Sequence, residues 1–280
     1  MKSILTIQDV SCFGKCSLTI ALPVLSAMGI ETAVLPTALL STHTLYEGVV
    51  REDLSRLLLP VAGHWKKLGI GFDAIYTGYL GSEEAVDAAA AVIESFRGEN
   101  TVVIVDPAMG DNGKLYSGFD TRYAEQNARL CALADVADPN VTEACLLTGL
   151  PYREDPPEGY CRELLLALAR LGTKLPILTG VSLGEGKTGA MGYDAHSAEF
   201  FSYSSDRIPA SCHGTGDAFS SVLAGAFALG MGRARALALA ADFTALSIEQ
   251  TLKASRDTRR GLAFEAALPF LVGALKRPGA

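Results

Sequence analysis

The chain is short of the features that would tie it to a disulfide framework, a membrane or a polyanion. Its six cysteines (12, 16, 131, 145, 161 and 212) include no Cys-x-x-Cys pair. At 280 residues the chain is large enough to hold a core without staples, so they read as reduced thiols. Only four histidines occur (43, 64, 196, 213), and none joins Cys12 and Cys16 at ligand spacing, which argues against a structural zinc site. No apolar run reaches the roughly 18 residues of a spanning helix; the longest candidate, 236–248, contains Asp242. The apolar start, 1–7, is too short for a signal peptide, and a cytoplasmic location is the expectation. Basic residues are outnumbered 24 to 31, for a net charge of -7 and a pI near 5.2, which argues against nucleic acid or an anionic membrane as partner.

What is present is a packed globular composition, 49% hydrophobic and 20% charged, with no internal repeat or low-complexity tract. One domain over 1–280 is expected. Residues 3–7 read as a strand, 8–17 as a polar turn, 18–28 as a helix closed by Gly29 with Pro23 as a kink or late start, and 32–36 as a second strand. That βαβ unit predicts a parallel sheet. Residues 37–48 read as a loop at a strand end, where ligands bind in open α/β sheets. Helices are predicted over 52–68, 83–96, 123–134, from 141 to near Gly149, and over 161–171; strands are predicted over 73–77, 101–105, near 136 and over 176–179. The wholly apolar 101–105 implies burial on both faces. Residues 151–160 read as a Pro-rich surface turn. Alternation over 188–193 and 198–203 then predicts an antiparallel hairpin added to the sheet, and helices over 217–229, 233–252 and 261–275 close the chain.

The most informative stretch is Cys212-His213-Gly214-Thr215-Gly216-Asp217, a Gly-x-Gly turn opening a small-residue helix. Glycines let backbone approach a ligand closely, and the first helical amides, unpaired and at the positive end of the dipole, form an anion hole. Asp217 is either a helix-capping group or a base held beside a bound anion, and the stretch alone leaves both open. Gly184-Glu185-Gly186-Lys187-Thr188-Gly189 matches G-x-G-x-x-G and nearly a P-loop. A hairpin rather than a helix follows, so both readings are rejected. Strand ends deliver Asp9, Tyr79, Asp106, Asp111, Asn140, Glu143 and Thr179 to one sheet edge. Acids around an anion hole repel an anion unless a cation intervenes, and Mg²⁺ bridges carboxylates to phosphate while keeping waters. The set points to Mg-nucleotide phosphoryl transfer without a P-loop.

These motifs, in this order and over essentially the whole chain, resemble the ribokinase-like superfamily and within it the pyridoxal/pyridoxamine (vitamin B6) kinases. The resemblance rests on Gly214-Thr215-Gly216-Asp217, Asp106-Pro107-Ala108-Met109-Gly110-Asp111-Asn112-Gly113, Asn140-x-x-Glu143, Ile7-Gln8, Ser41-x-His43-Thr44 and Thr77-Gly78-Tyr79. It implies a three-layer α-β-α sandwich and ATP-dependent phosphorylation of the vitamin's 5'-hydroxymethyl group. It implies Asp217 as catalytic base, with the amides of Gly214 to Gly216 stabilising the transferring phosphoryl group. Asp9 and Thr44 would bond the pyridine's polar atoms and Tyr79 would stack on the ring. Asn140 and Glu143 would hold Mg²⁺ with Asp106 close by. Asp106, Asp111, Asn140, Thr179 and Thr215 would line the ATP site. The 37–48 loop and the 180–189 turn would cover vitamin and nucleotide. A homodimer is implied; a monovalent cation is left open.

The chain departs from the family where Asp9 stands for a frequent Ser, Thr42 for Asn and Ala108 for Val. Cys212 precedes the anion hole and reads as structural or adenine-pocket lining, since an acid already fills the catalytic place. Two rival readings are a hydroxymethylpyrimidine kinase of thiamine synthesis and a non-catalytic pyridoxal phosphate binder. The 37–44 loop and the Asp-Pro-x-Met-Gly-Asp run favour B6 over the first, and the intact Asp217 and Asn140/Glu143 set argues against the second.

Overall fold

The structure is a computed structural model that describes residues 1–210, 212–254 and 257–276. In chain order the elements are β1 (Ser3–Ser11), α1 (Leu18–Ala27), β2 (Glu31–Leu40), β3 (Arg51–Asp53), α2 (Ser55–Lys67), β4 (Ala74–Thr77), α3 (Glu83–Phe96), β5 (Val102–Val105), β6 (Gly110–Asp111), β7 (Lys114–Leu115), α4 (Thr121–Ala132), β8 (Val136–Ala137), α5 (Val141–Thr148) and α6 (Glu158–Leu171). Then come β9 (Leu175–Ser182), β10 (Lys187–Asp194), β11 (Glu199–Asp206), α7 (Thr215–Ala228), α8 (Arg233–Lys253) and, after two 3₁₀ turns, α9 (Leu268–Leu275).

Nine strands form one sheet in the order β11-β10-β9-β8-β5-β4-β1-β2-β3. From β2 to β9 neighbours are parallel; β3 adds antiparallel at one edge and the β10–β11 hairpin at the other. Strand side chains alternate between two cores, as the two-residue period requires. Leu5, Ile7, Ile75, Val103, Val105 and Leu178 face a layer that includes α2, α3, α4 and α6, whereas Ile4, Ala74, Tyr76, Ile104, Val136 and Ile177 face α1, α7 and α8. This is the expected three-layer sandwich with its antiparallel hairpin. Among the described residues no helix is long and apolar enough to cross a membrane.

The order has a switch point. From β1 the chain steps through α1 to β2 on one side, then returns through α2 to β4 on the other. Helices leave in opposite directions there and open a crevice at the carboxyl ends of β1 and β4.

Several boundaries differ from the sequence expectation. At the end of β1, polar residues that read as a turn continue the strand and are buried. β1 runs through Gln8, Asp9 and Ser11, which the 8–17 turn had claimed, and Gln8 and Asp9 are buried. β2 continues to Leu40, and β3 takes residues assigned to the helix 52–68. α1 starts at Leu18 and runs through Pro23. α6 begins at Glu158, inside the presumed Pro-rich turn, directly after Pro157. The 261–275 helix is only α9, preceded by the 3₁₀ turn Phe264–Ala266.

Candidate active site

The predicted residues gather along the carboxyl edge of the sheet. α7 begins at Gly214, the N-cap residue, with φ of 86°, a left-handed conformation that glycine adopts without strain. A Cβ there would lie 2.7 Å from Ile20 Cδ1 and 2.8 Å from the Lys15 carbonyl oxygen, so only glycine lets the turn pass this close to the β1–α1 loop. Thr215, Gly216 and Asp217 form the first helical turn, and no side chain caps it. The amides of Thr215 and Gly216 are therefore free for an external anion. Gly216 is exposed and Asp217 half-buried.

Burial raises the Asp217 carboxyl to a pKa of about 6, a hydrogen bond from the Ser17 backbone draws it back, and the Asp9 carboxylate nearby pushes it further up. Asp9 is buried at the crevice. Its N–H donates to the Tyr79 carbonyl across the switch point (3.1 Å), and its Oδ2 accepts from Ser11 Oγ (3.0 Å). Burial raises its pKa too; Ser17 and Ser11 hydroxyls and the Arg51 guanidinium oppose that. Arg51 Nη2 donates to the Gly81 carbonyl at 2.6 Å. The half-buried Tyr79 ring lies 5.6 Å from Phe119, which stacks on Tyr123 at 3.8 Å. Thr44 does not join this group; it is exposed on the 41–50 loop and its hydroxyl makes no hydrogen bond.

On the other side of the edge, Asn140 and Glu143 form a reciprocal capping box on α5. Asn140 Oδ1 accepts from Glu143 N–H, and Glu143 Oε2 accepts from Asn140 N–H, both at 2.9 Å. The remaining arms reach the 106–113 loop: Glu143 Oε1 accepts from Met109 N–H (3.1 Å), and Asn140 Nδ2 donates to the Gly110 carbonyl (2.9 Å). The 106–113 loop folds into a small β6–β7 hairpin that the sequence did not announce. Asp111 is exposed at that hairpin and bonds only Asn112. Thr179, half-buried on β9, bridges to Asn140 along the backbone.

Asp106 is buried, and its pKa is raised well above the carboxylate range by burial and then by the charges of Asp138, Glu143 and Asp217. Burial raises Asp138 and Glu143 as well. Asp138 was overlooked in the sequence, where Asp-Pro-Asn reads as a turn. Its Oδ2 accepts from Ser220 Oγ of α7 (2.6 Å), while Oδ1 is buried without a partner. Arg51 was overlooked as well; a lone arginine after a loop carries no signal. Among the described residues no three His, Cys, Asp or Glu side chains converge as a preformed metal cage. Crowded oxygen donors with raised pKa values nevertheless suit a hard cation that arrives with waters and phosphate oxygens of its own.

The arrangement places a half-buried carboxyl at an uncapped helix start, Asp9 and Tyr79 at the crevice, and a backbone-braced acidic loop on the other side. Comparison with known proteins identifies the family and the fold. The phosphomethylpyrimidine kinase family model matches residues 65–260. A Bacteroides thetaiotaomicron protein provisionally assigned as a phosphomethylpyrimidine kinase, crystallised with pyridoxal, is 36% identical, with a TM-score of 0.92 over 96% of this chain and 95% of that one. A Lactobacillus plantarum pyridoxal kinase is 34% identical, with a TM-score of 0.90 over 98% and 97% of the two chains. A Rubrobacter xylanophilus pyridoxal kinase is 28% identical over 263 residues, 90% of this chain and 88% of its own. The plant and nematode pyridoxal kinases match less extensively, this chain spanning about half their length. The chain belongs to the ribokinase-like superfamily, in the phosphomethylpyrimidine kinase family to which these pyridoxal kinases are its relatives.

Proposed function

We propose that the chain is an ATP-dependent kinase of the vitamin B6 hydroxymethyl group, converting pyridoxal, pyridoxine or pyridoxamine to its 5'-phosphate. The observation that carries this reading is Asp217 in the first turn of α7, half-buried, with a pKa of about 6, beside free helix amides. Above that pH the carboxylate is ionised and accepts the alcohol proton as the phosphoryl group departs. A loose transition state asks for little activation of the nucleophile, so a positioned acceptor suffices. The amides of Thr215 and Gly216 take up charge on the equatorial phosphoryl oxygens. Asp9 and Tyr79 close the crevice against the ring, and Asp9, an acid at this place, favours a ring form that can donate to it. Thr179 and Asp111 stand on the nucleotide side.

Mg²⁺ would be held by Asp106, with Asn140 and Glu143 acting outward of it, since both arms of each already serve backbone groups. When bound it would offset the charge of the phosphates. Asn140 and Glu143 fix the 106–110 backbone, so the loop meets the nucleotide in one conformation. A single kinase domain, a homodimer and a cytoplasmic setting complete the reading; light scattering tests the dimer.

The family model favours a second reading, in which the alcohol is a hydroxymethylpyrimidine. One assay separates the two: ADP release with Mg-ATP and each of pyridoxal, pyridoxine, pyridoxamine and hydroxymethylpyrimidine. Turnover of a B6 vitamer above background supports the first. Turnover of the pyrimidine alone replaces it with the second, and silence with all four, while ATP binds, defeats both.

A further inference from the structure

We propose that His43 is a positioning residue whose ring, seated against His213, pins the 41–50 loop to the anion-binding turn, so that capture of the alcohol and order around Asp217 are set together. The inference rests on the kinase reading for the identity of the alcohol, and on geometry for the pin.

His43 is the single buried residue between 41 and 50. The neck of the loop is closed by Ser41 N–H to the Val50 carbonyl (2.9 Å) and Val50 N–H to Ser41 Oγ (3.0 Å). Beyond that neck, side-chain anchorage comes from His43 and its neighbour Tyr46. Both ring nitrogens of His43 are committed. A carbonyl can only accept, so Nε2 carries a proton and donates to Arg259 O at 2.6 Å. A backbone N–H can only donate, so Nδ1 accepts from Leu45 N–H at 3.3 Å. One neutral tautomer satisfies both, and burial lowers the pKa in keeping with that.

The ring is closely held. Gly14, with φ of 84°, lies so near that an added Cβ would sit 2.4 Å from His43 Cδ2. His213 lies against it, its ring centroid 3.9 Å away and its plane tilted 34°. Burial, then the charge of His43, hold His213 down to a pKa of about 4, so two neutral rings face each other. Tyr46 (4.8 Å from His43) and Phe13 (6.0 Å from Tyr46) extend the stack, with Arg259 over Tyr46 and Arg260 over Phe13.

Both partners of His43 lead to the base. His213 precedes Gly214, the N-cap of α7. Gly14 lies three residues before Ser17, whose backbone bonds the Asp217 carboxylate. A loop displaced at His43 therefore loosens the turn that aims Asp217 as well as the cover over the alcohol.

The test combines amide hydrogen exchange over 41–50 with steady-state kinetics on pyridoxal and ATP, for H43A, H43Q, H213A, H213F and the H43A/H213A double variant. Exchange in the loop is expected to rise about tenfold or more in H213A, a residue outside the loop, and to return toward wild type in H213F, which keeps a ring for stacking. KM for pyridoxal is expected to rise by about tenfold and kcat to fall severalfold, with KM for ATP within about twofold. Because the two rings act as one pin, the double variant should lose no more kcat/KM than the worse single one. Unchanged loop exchange in H213A, or losses that multiply in the double variant, would overturn the proposal. If H43A does not fold, the H213A and H213F pair decides it alone. A wild type that turns over none of the alcohols defeats the kinase reading, while the exchange comparison still decides the pin.

Discussion

On the 106–113 and 140–143 side of the site, the side-chain arms of Asn140 and Glu143 are all taken up by backbone groups of the chain. On the 41–50 side, Thr44 is exposed and a single buried ring, His43, holds the loop tip. On the proposed reading the phosphate is the same in every turnover, and a backbone-braced cradle would serve it. The alcohol would enter and its product leave each time, which asks for a segment of low local stability. The difference separates a rim bonded throughout to backbone from one anchored at a single ring.

Several substitutions would break or sharpen that contrast. Asp217→Asn belongs to neither rim and should have the largest effect, lowering kcat by about 10² to 10⁴ with vitamin binding retained. A carboxyl whose folded pKa lies above its unfolded value penalises the ionised fold; here the penalty grows between pH 3.8 and about 6 and is complete above. The Asn variant should therefore melt above wild type at pH 8 by calorimetry, and a lower melting point would show that Asp217 stabilises the fold. On the rigid rim, Glu143→Ala removes the acceptor of two amides, Met109 and Asn140. Urea unfolding should report a loss of about 2–4 kcal/mol, with KM for ATP raised. Gly214→Ala forces a side chain into a left-handed turn against Ile20 and Lys15 and should cost about 1–3 kcal/mol, with kcat reduced more than either KM. The pH profile of kcat/KM in the wild type should climb about tenfold per unit below pH 6 and level above it, as the base ionises; a profile flat from pH 5 to 8 would remove Asp217 from that role. Smallest is Thr44→Ala on the 41–50 rim: a few-fold change in KM for pyridoxal and about 0.5 kcal/mol or less in stability.

The sequence revealed the layers and the chemistry far better than the strand ends. Apolar 102–105 and the alternation from 187 onward could be read directly, because burial on both faces and pairing in a hairpin leave different periods. The motif at 214–217 could be read because an anion site at a helix start needs small residues and an acid. The polar end of β1 failed the same logic. Gln8, Asp9 and Ser11 look like a turn, yet they are buried and bonded to one another and to Tyr79 and Thr6. Local rules give way where a strand end is kept polar to face a ligand. Asp138 was missed for a related reason: only the arrival of Ser220, 82 residues later, distinguishes it from an ordinary turn former. Arg51 and the His43–His213 contact join segments too far apart in sequence for any local pattern to report.

The position of α7 also constrains when the site comes into being. β4 and β5, at and beside the sheet centre, are made well before α7, which packs on one face of them. Ser17 cannot offer its amide to Asp217, nor His43 its ring to His213, until nearly the whole chain exists. Contacts of such separation form late and slowly, because loop-closure entropy is spent before they return anything. A nascent chain thus holds an uncovered apolar sheet face through most of its synthesis, and catalytic competence arrives in one step with the closing of that face.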